Sequence, residues 1–349
     1  MIKYLGSKRT LVPVLGDIAS GLGVKSALDL FTGTTRVAQE FKRRGIHTTA
    51  VDLASYSKVL ADCYVATDLD QVDRAVLSAE IQRLNALPGV EGYVTQTFCT
   101  EARYFQPQNG ARIDAIRDEI DRSHPDGWLR PLLLTSLLLA ADRVDSTTGL
   151  QMAYLKQWAP RSFNPLELKE PDLIAGEGTA VQGDAMEVVG QLGEVELAYL
   201  DPPYNQHRYF TNYHVWETLI RWDEPEHYGV ACKRVDARDA ATKSVFNAKA
   251  TMASAFADLL QRVRAEVVVV SYNDESWIAR DEMVAALDAA GHEQVRVLEF
   301  DYKRYVGAQI GIHSPTGQKV GEVKRLRNVE QVFIAGPSAR LAALSVGSA

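Results

Sequence analysis

The chain has 349 residues, with 46% hydrophobic and 24% charged side chains, which excludes a disordered or fibrous chain and leaves one large or two medium globular domains. No apolar run reaches the length of a membrane span, since the longest, Leu132 to Ala141, is too short, and the N-terminal MIKYLGSKRT has charges but no apolar signal core. A cytoplasmic protein with no membrane partner is expected. The net charge of −7 argues mildly against a phosphate-rich partner.

The first elements read as strand, tight turn and helix. Ser26 to Phe31 is the strand, Thr32 to Thr34 the turn, and Thr35 to Arg44 an amphipathic helix that stops at Gly45. A second strand ends at Asp52, and a helix is expected from Ala54 to Ala66. This βαβ unit predicts a parallel sheet. From Asp70 to Gly178 the strand rhythm stops. Gln71–Asn85, Gly110–Ser123 and Leu129–Val144 look helical, and a turn-rich linker starts at Pro160. Strands resume with GTAVQ, VELAYL, AEVVVVSYND, QVRVLEFDYK and NVEQVFIAG. The expected architecture is therefore α/β: a Rossmann-like sheet over residues 1–69 and 179–349, interrupted by a mostly helical insertion over 70–178.

Two stretches carry chemistry. In Asp29-Leu30-Phe31-Thr32-Gly33-Thr34, glycine at a strand-to-helix turn lets backbone approach a ligand closely. Asp52, some twenty residues on, is placed to accept hydrogen bonds from a ribose diol. The glycines do not match G-x-G-x-x-G, so a pyrophosphate fits poorly and a nucleoside without phosphates, such as S-adenosylmethionine, fits better. A plain βαβ turn explains this stretch equally well when it stands alone. The second stretch is Asp201-Pro202-Pro203-Tyr204 after the apolar LAYL, a tetrapeptide that arises by chance in roughly one such chain per thousand. Two prolines end strand pairing and stiffen the corner. The carboxylate of Asp201 and the carbonyl of Pro202 can both accept hydrogens from an aromatic exocyclic amine. That restores the nitrogen lone pair and stabilises the positive charge that grows as it attacks a sulfonium methyl. Stacking of a base on Tyr204, worth roughly 1–3 kcal/mol, helps to offset the cost of extruding it from a duplex. No metal is needed for this chemistry. Cys63, Cys99 and Cys232 are too widely spaced for a disulfide framework or a zinc site and fit a reducing compartment.

With DLFTGT upstream and MIKYLGSKRT at its start, the chain resembles the Dam-type N6-adenine DNA methyltransferases, in the alpha arrangement where cofactor motifs precede the catalytic one. The resemblance spans nearly the whole chain, and DPPY is its most specific part. It implies that Tyr4, Gly6, Ser7 and Lys8 line the methionine end of S-adenosylmethionine. It further implies that Asp29, Phe31 and Gly33 form the first glycine motif, and that Asp52 and Asp184 are the acids after the second and third strands. Thr34-Thr35 stand where many members have a second glycine, which leaves the part of Thr34 open.

The family places target recognition between the cofactor strands and DPPY, where the insertion lies. Tyr93, Phe98, Arg103, Tyr104, Phe105, Gln106, Gln108, Asn109 and Arg112 supply groups able to read base edges, or equally the insertion's own core. After DPPY, Tyr209, Phe210 and Tyr213 are candidates for the wall of a base pocket or for packing. His207 and His214 read as structural, and Tyr272 and Asn273 as further candidates at a strand end. Lys303, Arg304, Lys319, Lys324, Arg325 and Arg327, set against Glu322 and punctuated by glycines, suit either a phosphate-binding arm or an ordinary hairpin, and Lys3, Lys8 and Arg9 add charge at the N-terminus. The favoured function is methylation of adenine N6 in duplex DNA by base flipping, with a cognate restriction endonuclease as a candidate partner. An enzyme of the same fold acting on RNA or cytosine N4, and a catalytically silent DNA-binding module, stay open.

Overall fold

A computed structural model of the chain describes residues 2–4, 8, 10–203, 209–274, 276–303, 312–313, 319–321 and 327–344. Seven strands form one sheet: β1 Ser26–Asp29, β2 His47–Asp52, β3 Gly178–Gln182, β4 Val195–Leu200, β5 Ala265–Asn273, β6 Gln294–Lys303 and β7 Arg327–Gly336. Their spatial order is β3-β2-β1-β4-β5-β7-β6. The first five strands run parallel, and β7 runs antiparallel between β5 and β6. The valine run of β5 is buried from Val267 to Asn273, as a central strand covered on both faces requires.

Helices α1 (Val12–Gly21) and α2 (Arg36–Arg43) cover one face, where Leu15, Ile18, Val37 and Phe41 pack on Leu197, Tyr199 and Val269. Helix α2 ends at Gly45, whose φ of +75° gives the expected stop. Helix α3 (Ser55–Ala61) follows β2 and passes into a π-helical turn, Asp62–Ala66, which the apolar periodicity does not foretell. Buried Lys42 Nζ donates to the carbonyls of Val65 and Thr67 at the end of that turn, 2.8 and 2.6 Å away.

The insertion consists of α4 (Arg74–Asn85), a second π-helical segment Thr95–Glu101, α5 (Pro107–Ser123) and α6 (Leu129–Val144). Among the described residues no strand falls between 70 and 177. After β3 come α7 (Ala185–Val188), then α8 (Tyr209–Asn212) and α9 (His214–Arg221) beyond the proline corner. Helices α10 (Lys249–Arg262) and α11 (Arg280–Ala289) cover the other sheet face through Phe256, Leu259 and Leu287. The insertion does not own a separate core. Phe98, Ile113, Leu134 and Leu138 share one apolar cluster with Tyr56, Leu60, Trp216 and Leu219 of α3 and α9. Two long-range polar links hold that junction. Arg117 of α5 donates to the carbonyls of Leu219 and Ile220, 2.7 and 2.9 Å away. Glu217 of α9 accepts from the backbone N–H of Ser55, 3.0 Å away, and so caps α3 from another part of the chain. Among the described residues no helix is long and apolar enough to cross a membrane.

Candidate active site

Strand β1 lies between β2 and β4, and the chain leaves the two central strands toward opposite sides, which opens a crevice at their carboxyl ends. Asp29 closes β1 and Asp201 follows β4 directly. Both line one cleft of about 1100 Å³, counting the part open to solvent. Tyr4, Lys8, Phe31, Gly33, Thr34, Asp52, Asp184 and Pro203 line the same cleft. Pro202 adjoins it in the chain, and Gly6, Ser7 and Tyr204 lie outside the described residues, as does His207.

The turn after β1 is built by its own hydrogen bonds. Asp29 Oδ2 accepts from Thr32 Oγ1 at 2.9 Å and from the N–H of Ala38 at 3.2 Å. Its Oδ1 is buried with no hydrogen-bond partner among the described residues. Burial, together with the charges of Asp201 and Asp52 and against the Thr32 bond, pushes the Asp29 carboxyl up to about 7. Gly33 has φ +52°, and a Cβ there would meet the Tyr4 ring at 3.1 Å, so glycine answers both the backbone angle and the close approach of Tyr4. Asp52 accepts from the N–H groups of Gly33 and Ala54 at 2.8 and 3.0 Å. Burial raises its carboxyl, opposed by those two N–H groups. Asp184 caps α7 by accepting from the Met186 N–H at 2.8 Å and remains half-exposed at the cleft. Thr35 starts α2 at φ +62°, with its Oγ1 donating to the Thr34 carbonyl.

On the β4 side, Lys8 Nζ lies 3.1 Å from Asp201 Oδ1 and also contacts Glu330 of β7, with both lysine and glutamate nearly buried. Asn273 Nδ2 reaches the other Glu330 oxygen at 3.4 Å. Burial pushes the Asp201 carboxyl up to about 6, with Lys8 lowering it and Glu330 raising it. It is therefore mostly ionised at neutral pH. Lys8 thus borders the cleft, as the resemblance implies, but its ammonium is engaged by the carboxylate of the proline corner. Asn273 joins this chain of contacts from behind, whereas Tyr272 is buried in the core beneath α10 and α11.

Aromatic rings close one side. Tyr4 stacks on Tyr213 at 4.6 Å and on Tyr209 at 5.4 Å, and Tyr213 stacks in turn on Trp216. Tyr209 and Phe210 line the cleft, while Tyr213 is fully buried and packs. His214 is buried, with Nε2 2.9 Å from the Gln151 carbonyl; burial holds its ring at about 3, hence neutral, as a structural group. A further wall, Thr242, Ser244, Phe246 and Asn247, was not apparent in the sequence. Its one local signal is the Ser244 side chain accepting from the Phe246 N–H, which turns that buried ring edge-on to Phe31 at 5.4 Å.

Most insertion candidates prove to be scaffold. Phe98, Tyr104, Phe105 and Asn109 are buried. Asn109 bonds the backbone of Ser162, Asn164 and Leu166, Arg112 the carbonyls of Asn85 and Leu87, and Tyr93 that of Pro225. Arg103 donates to the Lys156 carbonyl over the Trp158 ring, half-buried like Gln106, and Gln108 is exposed. In the basic segment Ile312–His313 pairs antiparallel with Lys319–Gly321. Arg9, Arg304, Glu322, Lys324 and Arg325 lie outside the described residues.

Comparison with known proteins identifies the family. The sequence pattern of the D12 class N6 adenine-specific DNA methyltransferases matches residues 4–286. Type II methyltransferase M.NlaIII of Neisseria lactamica is 29% identical over 320 residues, covering 87% of this chain and 92% of that protein. Type II methyltransferase M.CviAII of Paramecium bursaria Chlorella virus 1 is 30% identical over 315 residues, with 87% and 90% covered. Modification methylase StsI of Streptococcus sanguinis is 28% identical over 324 residues, and there the chain spans 49% of the relative's length. Among solved structures, precorrin-6y C5,15-methyltransferase from Geobacter metallireducens aligns over 97% of this chain and 92% of its own at 11% identity and a TM-score of 0.31. The chain belongs to the D12 class N6 adenine-specific DNA methyltransferase family.

Proposed function

We propose that this protein methylates the N6 amine of adenine at a short specific sequence in duplex DNA, using S-adenosylmethionine, with Asp201, Pro202, Pro203 and Tyr204 as the catalytic corner. The observation that carries the assignment is the meeting of Asp29 and Asp201 at one crevice between β1 and β4. The residues present fit the cofactor in three respects. Asp29 offers a buried oxygen that no donor among the described residues fills. The Gly33 turn admits close approach. Four acids, Asp29, Asp52, Asp184 and Asp201, line the cleft, and their summed negative potential favours a ligand with net positive charge. Tyr4, Gly6, Ser7, Lys8, Asp29, Phe31, Gly33 and Thr34 would hold the methionine half of the cofactor, Asp52 its ribose and Asp184 its adenine. Bound there, the cofactor supplies an electrophilic sulfonium methyl.

The chain's part is orientation and charge. Asp201 and the Pro202 carbonyl accept the two amine hydrogens of the extruded adenine and hold the nitrogen lone pair toward the methyl donor. The Asp201 carboxylate stabilises the charge that develops on that nitrogen. Lys8 keeps Asp201 ionised against the cost of burial. Tyr204 stacks on the base, and Tyr209 and Phe210 close the pocket around it. The amine's surplus proton, acidic once the methyl is attached, leaves to water.

Residues 1–69 and 179–349 form the catalytic unit in this reading, and 70–178 the target-recognition unit. Exposed Gln108 and half-buried Arg103 and Gln106 are the insertion side chains best placed to reach bases. The names of relatives such as modification methylase StsI support a restriction endonuclease of the same site as partner. Methylation of random-sequence duplex DNA followed by modification-sensitive sequencing tests base, strand type and motif together. The expected product is N6-methyladenine in one short motif. Cytosine modification, transfer only to RNA, or no transfer at all would refute it.

A further inference from the structure

Outside the cleft, three side chains from two distant parts of the chain, Glu101 on one and His227 with Cys232 on the other, converge at the junction of the insertion and the segment that follows α9. Glu101 ends the π-helical segment Thr95–Glu101. His227 begins a short antiparallel ribbon in which His227–Tyr228 pairs with Lys233–Arg234, and Cys232 sits in its turn. A carboxylate oxygen, a ring nitrogen and the thiol sulfur from these three lie within 4.8 Å of one another. None of them lines the cleft.

We propose that Glu101, His227 and Cys232 bind one divalent transition-metal ion, with zinc the best match to a thiolate, imidazole and carboxylate set, and with water in the fourth position. The spacing supports a tetrahedral ion. Two nitrogen or oxygen ligands each about 2.1 Å from such an ion stand about 3.4 Å apart, and a thiolate stands about 3.6 Å from either. His227 Nε2 is 3.4 Å from Glu101 Oε2. The sulfur needs at most about 1.2 Å of approach to close the set. The donors are also steadied from behind. Gln96 Nε2 donates to the other Glu101 oxygen at 3.1 Å, which leaves Oε2 facing the histidine. Cys232 is held at φ +45°, a conformation that non-glycine residues rarely adopt, with its N–H bonded to the Gly229 carbonyl. Its neighbour Ala231 accepts from buried Tyr104 Oη at 3.0 Å. Cys232 is 3% exposed and unpaired with any other cysteine, while exposed Glu101 leaves the outer side open to the ion and its water.

On binding, the thiol proton passes to solvent, one sulfur–metal bond forms and a metal-bound water is displaced, with no change of oxidation state. The ion ties the ribbon, whose Arg234 guanidinium lies over the cleft residue Phe210 at 5.9 Å, to the π-helical segment Thr95–Glu101 of the insertion. It is a staple between the two parts of the chain and takes no part in methyl transfer.

The test is titration of the full-length, chelator-stripped protein with cobalt(II). One equivalent should bind with a thiolate-to-cobalt charge-transfer band and the visible bands of a four-coordinate ion, and one equivalent of zinc(II) should bleach both. Cys232→Ser, close to isosteric, should abolish the charge-transfer band. Glu101→Gln, at an exposed position that does not endanger folding, should keep the band while weakening affinity about tenfold or more. Zinc should raise the melting temperature of the wild type and leave that of Cys232→Ser unchanged. Absence of a thiolate band at millimolar cobalt, its persistence in Cys232→Ser, or wild-type affinity in Glu101→Gln would overturn the site.

Discussion

The cleft at the ends of β1 and β4 and the helical insertion draw on the same side-chain types, acids, amides and aromatic rings, and Asp114 and Asn109 in the insertion are bonded more fully than Asp29 in the cleft. In the insertion, Asp114 takes the N–H groups of Gly92, Val94 and Thr95 and the Thr95 hydroxyl, all at 2.7–3.0 Å. Asn109 spends its whole amide on the backbone near Leu166. In the cleft, Asp29 keeps one buried oxygen with no partner among the described residues, and the charges of Asp201 and Asp52 raise its proton affinity. An unpaired buried oxygen costs stability; in Asp29 it also faces a cleft, whereas buried atoms of the insertion with no hydrogen-bond partner among the described residues, those on Gln106, Arg112 and Arg117 included, line no part of that cleft.

Breaking each side in turn sharpens the contrast. Asp201→Ala should lower kcat about 10³-fold, the scale of a lost transition-state acceptor, while cofactor affinity by calorimetry changes little; near-normal turnover would remove the catalytic assignment. Arg117→Met should do the reverse. The carbonyls of Leu219 and Ile220 lose their donor, and a buried charged partner is gone, at about 2–4 kcal/mol in denaturant unfolding, while turnover per folded molecule stays near wild type. A variant that unfolds at wild-type denaturant would show that the insertion is not anchored through α5.

The acids of the cleft extend the comparison to pH. The Asp29 carboxyl sits at about 7 in the folded chain against an ordinary aspartate value of 3.8. A folded value above the unfolded one means that the native state holds the proton more tightly. Its contribution to stability is therefore complete below about pH 4 and declines as pH rises to 7, by at most about 4 kcal/mol. Asp142, pushed up to about 6 by burial, works in the same direction. Melting of the ligand-free protein should thus fall from pH 5 to pH 8, and saturating cofactor, whose cationic amine pairs with Asp29, should flatten the decline. Turnover should follow the opposite trend, dropping below about pH 6 as Asp201 takes up a proton. Unfolding curves that coincide at pH 5 and 8 would contradict the linkage.

What was legible in the sequence was local. The turn at Gly33, the stop at Gly45 and the proline corner each announce themselves through backbone chemistry within a few residues, and α6 matches its apolar pattern end to end. What was not legible depends on contacts between distant segments. Lys8 meets Glu330 across 322 residues, and Glu217 caps α3 from 162 residues away. The wall from Thr242 to Asn247 has no pattern of its own because it is shaped by the Phe31 ring it packs against. The aromatic residues of the insertion remained ambiguous for a related reason: residue type does not say which way a ring faces, and Phe98 and Tyr104 face inward.

Thr35 offers the finest test of how far the cleft's turn is strained. It stands at φ +62° next to Thr34, where many members of the family have a second glycine. A left-handed angle costs an L-residue about 1–2 kcal/mol, so glycine should relieve that. Against this, glycine loses more conformational freedom on folding, by roughly 0.5–1 kcal/mol. It also forfeits the Thr35 hydroxyl, which donates to the Thr34 carbonyl at 2.7 Å and accepts from Gln39 at 2.8 Å, bonds worth about 0.5–1.5 kcal/mol each. The losses, about 1.5–4 kcal/mol together, outweigh the relief of about 1–2 kcal/mol, and Thr35→Gly should destabilise by roughly 1 kcal/mol. Thr35→Ala keeps the strained angle and loses both bonds, so it should unfold more easily than either. If alanine proves as stable as threonine, the hydroxyl contributes nothing, and threonine at this position is explained by neither strain nor hydrogen bonding.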